Sequence, residues 1–444
     1  MLINFRCANY RSFRDEVMLS MLKGDTKNHP DQVYGLGDAG LLKAAVIFGP
    51  NASGKSNVFN AFRVSRNFIT KEIEMRTYNN YYRLEPGYKE KPTLFEYEMT
   101  VNGKPYRYGF EKILDDDEVT GEWLQRISLE GEDELLFRRA GDNIIDGEIS
   151  ENEKAALTRN IKKHGGLLIL TLCDLFRDSK KGYDIIEESI TILDWFDKDL
   201  VIIGVDGSLR ASIDYTPSEL EEMGRILRAF DVGINDIEFT EWIKDLWIDE
   251  GHNTEYSRYI DGKEGEVAQA WIDEGRTTVY GEQGGKIILT RFATERKNGK
   301  KREMLVSRHG ANKVNMPRID ESDGTKRLLD LAPIIMNDNL EKTYVVDEID
   351  RSLHPVVVFE FLKWFLENRY SKPKQLITTT HQILLMDQEL LRKDEIWFVE
   401  KKGDGHSELF SLDEYNERSD KKIDKSYLDG RYGAIPKIRL RGDQ

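Results

Sequence analysis

The chain has 444 residues, 39% hydrophobic and 33% charged, and carries a formal net charge of −15. That length exceeds one ordinary domain and predicts a core domain with a substantial insertion, while the acidity argues against a generally basic nucleic-acid-binding surface and leaves only a local basic groove open. Two separated cysteines, Cys7 and Cys173, supply neither a disulfide framework nor a cysteine metal site, and no apolar stretch has the roughly 20 residues a membrane span needs.

Residues 1–22 alternate apolar and polar side chains on both sides of Asn9–Phe13, which predicts a hairpin. The opening MLINFRCANY lacks the apolar core of a signal peptide, so a cytoplasmic location is expected. Lys43–Phe48 is a short apolar run with β-branched members and reads as a buried strand. It leads directly into Gly49-Pro50-Asn51-Ala52-Ser53-Gly54-Lys55-Ser56, after which Asn57–Phe62 continues as a helix. Strand, glycine-rich loop and helix in that order form a phosphate-binding loop. Gly49 and Gly54 let the backbone curl so that several N–H groups face one phosphate at a helix N-terminus. Lys55 reaches the β- and γ-phosphates of a nucleoside triphosphate, and the Ser56 hydroxyl is suited to Mg²⁺. ATP and Mg²⁺ are therefore the expected cofactors, held by residues 49–57.

Residues 92–139 read as β-structure, with Asn102-Gly103 as a hairpin turn, and complete an N-terminal ATPase lobe over 1–149. Segments 151–163, 183–196 and 217–230 have helical composition and apolar spacing, which predicts a projecting helical insertion over 150–235. No sustained heptads mark a long coiled-coil arm. A β-rich connecting region follows over 236–314, and a C-terminal ATPase lobe runs from 315 to 444.

That last segment holds three further motifs. Thr343–Val346 is an apolar strand ending in Asp347-Glu348. Asp347 at a strand end suits Mg²⁺ through water, and Glu348 suits polarisation of an attacking water. A short strand from Gln375 runs into Thr379, Thr380 and His381, where a histidine can sense a γ-phosphate. Between these and the insertion lies Glu321-Ser322-Asp323-Gly324-Thr325, at the start of a helical apolar pattern through Leu328, Leu331 and Ile335. Ile349–Pro355 follows the acidic pair, with Asp350 and His354 as its polar members and Pro355 suited to a first helical turn.

This set resembles the ABC-type ATPases. The resemblance implies that Ser322 and Gly324 are signature residues, which in that family close over a nucleotide bound to another subunit. Glu321 and Asp323 depart from the usual signature, and an added carboxylate near a triphosphate is unfavourable unless it points away or is neutralised. The opening strands resemble those of structural-maintenance and RecF-like heads, which implies that Arg11 and Ser12 approach the nucleotide; a solvated turn is the alternative for Arg11. ESDGTKRLL, VVDEIDRSLHP, TTTH and YLDGRYGAIP together resemble a prokaryotic group of stand-alone ATPases labelled AAA15, akin to overcoming-lysogenisation-defect and RloA-like heads and to AriA-type ATPases of PARIS systems.

The fold expected is α/β: an ABC-type P-loop NTPase head, two-lobed with a mixed central sheet, carrying an inserted helical and β-containing region. The function implied is an ATPase whose heads pair around ATP, with Glu348 and His381 catalytic and Ser56 and Asp347 on the metal. The partners implied are further copies of this chain, at least a dimer, a separately encoded nuclease or toxin of TOPRIM type, and a phage trigger protein. A direct DNA-acting ATPase of the repair or tethering kind is the alternative. Asp115–Glu118 and Asp194–Asp199 are the best acidic groupings outside this set, and both read as solvated faces rather than a nuclease centre. The divergent signature and the inserted helices argue against a membrane exporter subunit.

Overall fold

The run Ala44–Phe48 has no side chain that could face water, and all five residues are buried. Burial on both faces is what a strand within a parallel sheet requires. The computed structural model describes the chain except for residues 37–38, 71–78, 117, 129–130, 165, 178–182, 206–214, 242–277, 284–285, 292–294, 299–300, 312–313, 337–339, 416–421 and 436–444. Two compact units divide it: unit 1 holds 1–202, 339–350 and 362–444, and unit 2 holds 203–338 and 351–361.

In unit 1, β1 (Leu2–Ala8) and β2 (Val17–Ser20) form the N-terminal hairpin, and β3 (Val33–Leu36) pairs with β4 (Ala39–Leu42). The apolar run is β5 (Ala44–Phe48), followed by α1 (Lys55–Thr70). An antiparallel meander follows: β6 (Thr93–Val101), β7 (Lys104–Ile113), β8 (Glu118–Arg126), β9 (Glu134–Ala140) and β10 (Asn143–Asp146). With the hairpin they make a seven-stranded sheet in the order β10-β9-β8-β7-β6-β1-β2. Asn102 and Gly103 take φ of 51° and 77° between β6 and β7, the left-handed turn geometry that asparagine and glycine tolerate.

The second sheet of unit 1 is mixed and six-stranded. It adds β11 (Leu200–Ile203), β18 (Lys342–Val346), β19 (Lys374–Thr379), β20 (Ile396–Lys401) and β21 (Ser407–Ser411) in the order β11-β18-β19-β5-β20-β21. β18, β19, β5 and β20 run parallel, and β21 is antiparallel to β20. This is the α/β fold with a mixed central sheet that was expected, its glycine-rich loop lying between β5 and α1. Helix α1 joins the two sheets into one core: Phe62 stacks on Phe5 with centroids 3.9 Å apart, and the same cluster takes in Tyr97, Val345 and Ile377.

Helices α2 (Glu151–Lys163), α3 (Ile169–Cys173) and α4 (Asp184–Asp194) do not project as a separate insertion. Leu157, Ile161, Ile169–Cys173, Ile186, Trp195 and Phe196 are buried in the unit 1 core with Tyr97 and Tyr108. The cause is the apolar face of the antiparallel sheet, which these helices cover. Glu122 of β8, fully buried, accepts from the Ile169 N–H at 2.7 Å and from the Tyr108 hydroxyl at 2.9 Å, tying α3 to the sheet.

Unit 2 contains α5 (Pro217–Ala229), whose N-terminus is closed by a Thr216–Glu219 capping box. Its strands are β12 (Ile234–Glu241), β13 (Thr278–Gln283), β14 (Lys286–Arg291), β15 (Glu295–Asn298), β16 (Lys301–His309) and β17 (Val314–Pro317). β12-β16-β15 form a sheet with β17 also on β16, and β13 pairs with β14. The glycine turn expected at 284–285 lies outside the described residues. Helix α6 (Asp323–Ile335) completes this unit, and α7 (Pro355–Glu367) follows Pro355.

In unit 1 the C-terminal motif becomes intelligible as packing. Helix α8 (Ile423–Leu428) presents Tyr427, and the turn after it presents Tyr432; both stack on Phe398 of β20 at 5.6 Å. The Tyr427 hydroxyl donates to the Ala434 carbonyl at 2.7 Å.

Glu395 sits beneath β5, fully buried, and accepts from the Ala44 N–H at 3.3 Å and the Arg392 N–H at 3.0 Å. Burial pushes its carboxyl up to about 8, against the lowering effect of these N–H groups. A folded-state value above the unfolded one means the native protein holds the proton longer, so this stability is full at acid pH and is lost as pH rises toward 8. Thermal melts of wild type and Glu395→Gln from pH 5.5 to 8.5 should show a fall in Tm that is shallower in the variant.

Candidate nucleotide site

Register decides where the polar residues emerge. In the mixed sheet Thr378 lies beside Val346, Thr379 beside Ile47, and Phe398 beside Phe48. The strands therefore end together, delivering Gly49, Asp347, Glu348, Thr380 and His381 to one edge, the edge where open α/β sheets bind ligands. A cavity of about 840 Å³ opens there, lined by Pro50–Ala52, Gly54–Asn57, Ser12, Glu348, His381 and Lys401.

The loop is closed on itself. The Lys55 ammonium donates to the Gly49 carbonyl at 2.7 Å and the Pro50 carbonyl at 3.1 Å. Desolvation pushes it down to about 8, although the carboxylates of Glu348, Asp350 and Asp347 favour its charge. Asn51, Ala52 and Ser56 are exposed to the cavity, while Ser53 faces inward. Gly49 is required by close approach, since a Cβ there would lie 2.5 Å from the Val399 carbonyl oxygen. Gly54 has φ 117°, and a Cβ would meet Ser407 Oγ at 2.7 Å and Ser12 Oγ at 2.8 Å.

Those two serines brace the loop from outside. The Ser407 hydroxyl donates to the Ser53 carbonyl at 2.5 Å and its N–H to the Ser12 carbonyl at 2.7 Å. Asn57 donates to Ser12 Oγ at 2.7 Å. Ser12 lines the cavity, whereas Arg11 does not and is held by Asn80 at 3.1 Å and Asn57 at 3.5 Å. Ser407 was invisible in the sequence, where it is one serine after a surface turn.

The acidic pair is ordered by the strand beside it. Asp347 is buried and does not line the cavity; Glu348 does, with φ 46°. Glu348 lies 4.0 Å from His381 Nε2, and His381 Nδ1 lies 3.5 Å from the Lys55 ammonium. An ammonium only donates, so Nδ1 accepts and the ring proton falls on Nε2, toward Glu348. Asp350 accepts from the Thr380 hydroxyl at 2.8 Å and the His381 N–H at 3.4 Å, fixing the histidine's backbone.

The hydroxyl of Ser56 and the carboxylate of Asp347 are hard oxygen donors that fit Mg²⁺, an ion that retains water and shares phosphate oxygens. The burial of Asp347 behind the cavity wall suits contact through water.

In unit 2, Ser322 is the N-cap of α6 and accepts from the Thr325 N–H at 3.2 Å. The two unexpected carboxylates have different fates. Glu321 is buried and paired with His309 Nε2 at 2.7 Å, whereas the Asp323 side chain is 85% exposed. Gly324 is pressed against the chain, with a Cβ position 2.8 Å from the Ser352 carbonyl oxygen.

A family model described as "AAA domain, putative AbiEii toxin, Type IV TA system" matches residues 44–387. The chain belongs to this family. The AAA-domain match takes in every candidate catalytic, nucleotide-binding and metal-binding residue named from sequence except Arg11 and Ser12. No curated protein matches the chain. Among solved structures, the SMC head bound to the C-terminal winged-helix domain of ScpA is 14% identical, with 92% of this chain and 97% of that chain covered and a TM-score of 0.42. The SMC head domain from Thermotoga maritima is 15% identical, with 92% and 98% covered and a TM-score of 0.34. Among the described residues, no helix is long and apolar enough to cross a membrane.

For this AAA-domain protein, Gly54→Ala tests the loop. Forcing a side chain into a left-handed turn against Ser12 and Ser407 costs about 1–3 kcal/mol. Affinity for a fluorescent ATP analogue should fall about tenfold or more, read by titration, with the circular dichroism spectrum retained.

Proposed function

We propose that the chain is an ATPase that pairs through its nucleotide sites and acts as a sensor and scaffold for a separately encoded effector in antiphage defence. The observation that carries the catalytic part is the convergence of Lys55, Ser56, Glu348 and His381 on one cavity. On binding ATP, Lys55 exchanges the Gly49 and Pro50 carbonyls for phosphate oxygens, and the N–H groups at the start of α1 add their partial positive charge. Mg²⁺, when held by Ser56 and Asp347, neutralises developing phosphate charge. Glu348 orients and deprotonates the attacking water, and His381 hydrogen-bonds the γ-phosphate from the opposite wall.

Ser322 and Gly324 act on the nucleotide of a second copy. Their setting at a helix N-terminus supports this, because orphan N–H groups there favour an anion, and one of the two added carboxylates, Glu321, is engaged by His309. ATP binding then strengthens association between copies by linkage, and hydrolysis weakens it. The family's description, a putative AbiEii toxin of a type IV toxin–antitoxin system, supports a toxin–antitoxin setting for the chain. A TOPRIM-type nuclease and a phage-encoded trigger remain the proposed classes, with kinship to AriA-type, RloA-like and overcoming-lysogenisation-defect ATPases.

The test has two parts. Lys55→Ala and Glu348→Gln should each lower the rate of phosphate release at least about a hundredfold. Glu348→Gln should still bind ATP and accumulate as a dimer in light scattering, whereas Lys55→Ala should stay monomeric. Hydrolysis at the wild-type rate in either variant overturns the site. Co-purification with genomic neighbours, with and without ATP, tests the scaffold; a lone homodimer that binds DNA in ATP favours the DNA-acting alternative.

A further inference from the structure

Thr379, the last residue of β19, touches both members of the acidic pair without lining the cavity itself. It is 2% exposed. Its hydroxyl donates to Asp347 Oδ1 at 2.6 Å and accepts from the Glu348 N–H at 2.8 Å. Its carbonyl accepts from the Ile349 N–H at 3.1 Å. Three consecutive residues of the acidic segment therefore hang on one threonine.

The hydroxyl has a single proton, and that proton is committed to the carboxylate. The lone pair it leaves is committed to the N–H of a residue in a left-handed backbone conformation, φ 46°. Such a conformation costs of order 1–3 kcal/mol in a residue with a side chain and persists only where the surroundings over-determine it. The neighbouring threonines have different partners: Thr378 donates to the Val346 carbonyl at 3.1 Å and Thr380 to Asp350 at 2.8 Å. A serine or threonine at 379 is thus a specific requirement, not a general preference of the segment.

The geometry points to Thr379 as a positioning residue for hydrolysis: one hydroxyl sets the direction of the Asp347 carboxylate and, through the Glu348 backbone, that of the Glu348 carboxylate. This inference rests on the ATPase reading above and adds a division of labour to it. The aims of Asp347 and Glu348 are coupled, because a single donor–acceptor group contacts both. Misplacement of a catalytic group by about 1 Å costs on the order of a hundredfold.

Thr379→Val preserves shape and removes the hydroxyl; Thr379→Ser preserves the hydroxyl and removes a methyl. Steady-state hydrolysis should show a fall in kcat of about tenfold to a hundredfold for the valine variant, with KM for ATP changed less than about threefold. Titration with a fluorescent ATP analogue should show that Mg²⁺ raises its affinity less than in wild type, while affinity in EDTA is unchanged. The serine variant should recover both properties. Should the valine variant fail to fold, Thr379→Ala is measured in its place. A kcat within about twofold of wild type in a hydroxyl-free variant overturns the proposal, as does a serine variant as impaired as the valine one. Absence of hydrolysis in the wild-type protein overturns the ATPase reading itself and is seen before any variant is made.

Discussion

The candidate site depends on β5 being held on both edges by parallel strands. A strand of alanine, valine, isoleucine and phenylalanine, buried throughout, has no lower-energy place to go than between β19 and β20. Once it is there, its end is fixed in height relative to theirs. The loop at Gly49 then opens beside Asp347 and His381, which are almost three hundred residues away in sequence. The glycine-rich loop of one segment, the carboxylates of a second and the histidine of a third become neighbours through backbone register alone.

Electrostatics at that edge are balanced rather than neutral. Lys55 is desolvated but faced by three carboxylates, and its ammonium is meanwhile occupied by two loop carbonyls. Such a cation is ready to exchange carbonyl oxygens for phosphate oxygens, since the desolvation cost has already been met by the fold. The carboxylates of Asp347 and Asp350 are in turn held by the hydroxyls of Thr379 and Thr380. Fixed polar groups of this sort lower the reorganisation a reaction would otherwise require.

Much of this was legible in the sequence because the decisive signals are local. An eight-residue loop between an apolar strand and a helix, and an acidic pair after a second apolar strand, each announce their own geometry. The helices at 151–163 and 217–229 were likewise readable from composition and apolar spacing. What stayed hidden was long-range. Nothing local distinguishes Ser407 or Thr379 from other hydroxyls, because their partners are set by which strands become adjacent. The same holds for α2–α4: their apolar faces were visible, but that the antiparallel sheet would cover them was not. The aromatic residues of the C-terminal motif, unexplained as a string, make sense only against Phe398. The acidic departures at Glu321 and Asp323 could be weighed only once His309 and the solvent were seen to take them up.

Arg11, Ala52 and Glu348 all adopt positive φ, and all three lie on or just behind one cavity wall. Such conformations are locally uphill and are held in place by the packed sheets around them. The molecule therefore stores mechanical tension where its chemistry is proposed to occur, with the apolar core as the spring's anchor. A substitution that loosens that core therefore bears on the aim of the Glu348 carboxylate as well as on the stability of the fold.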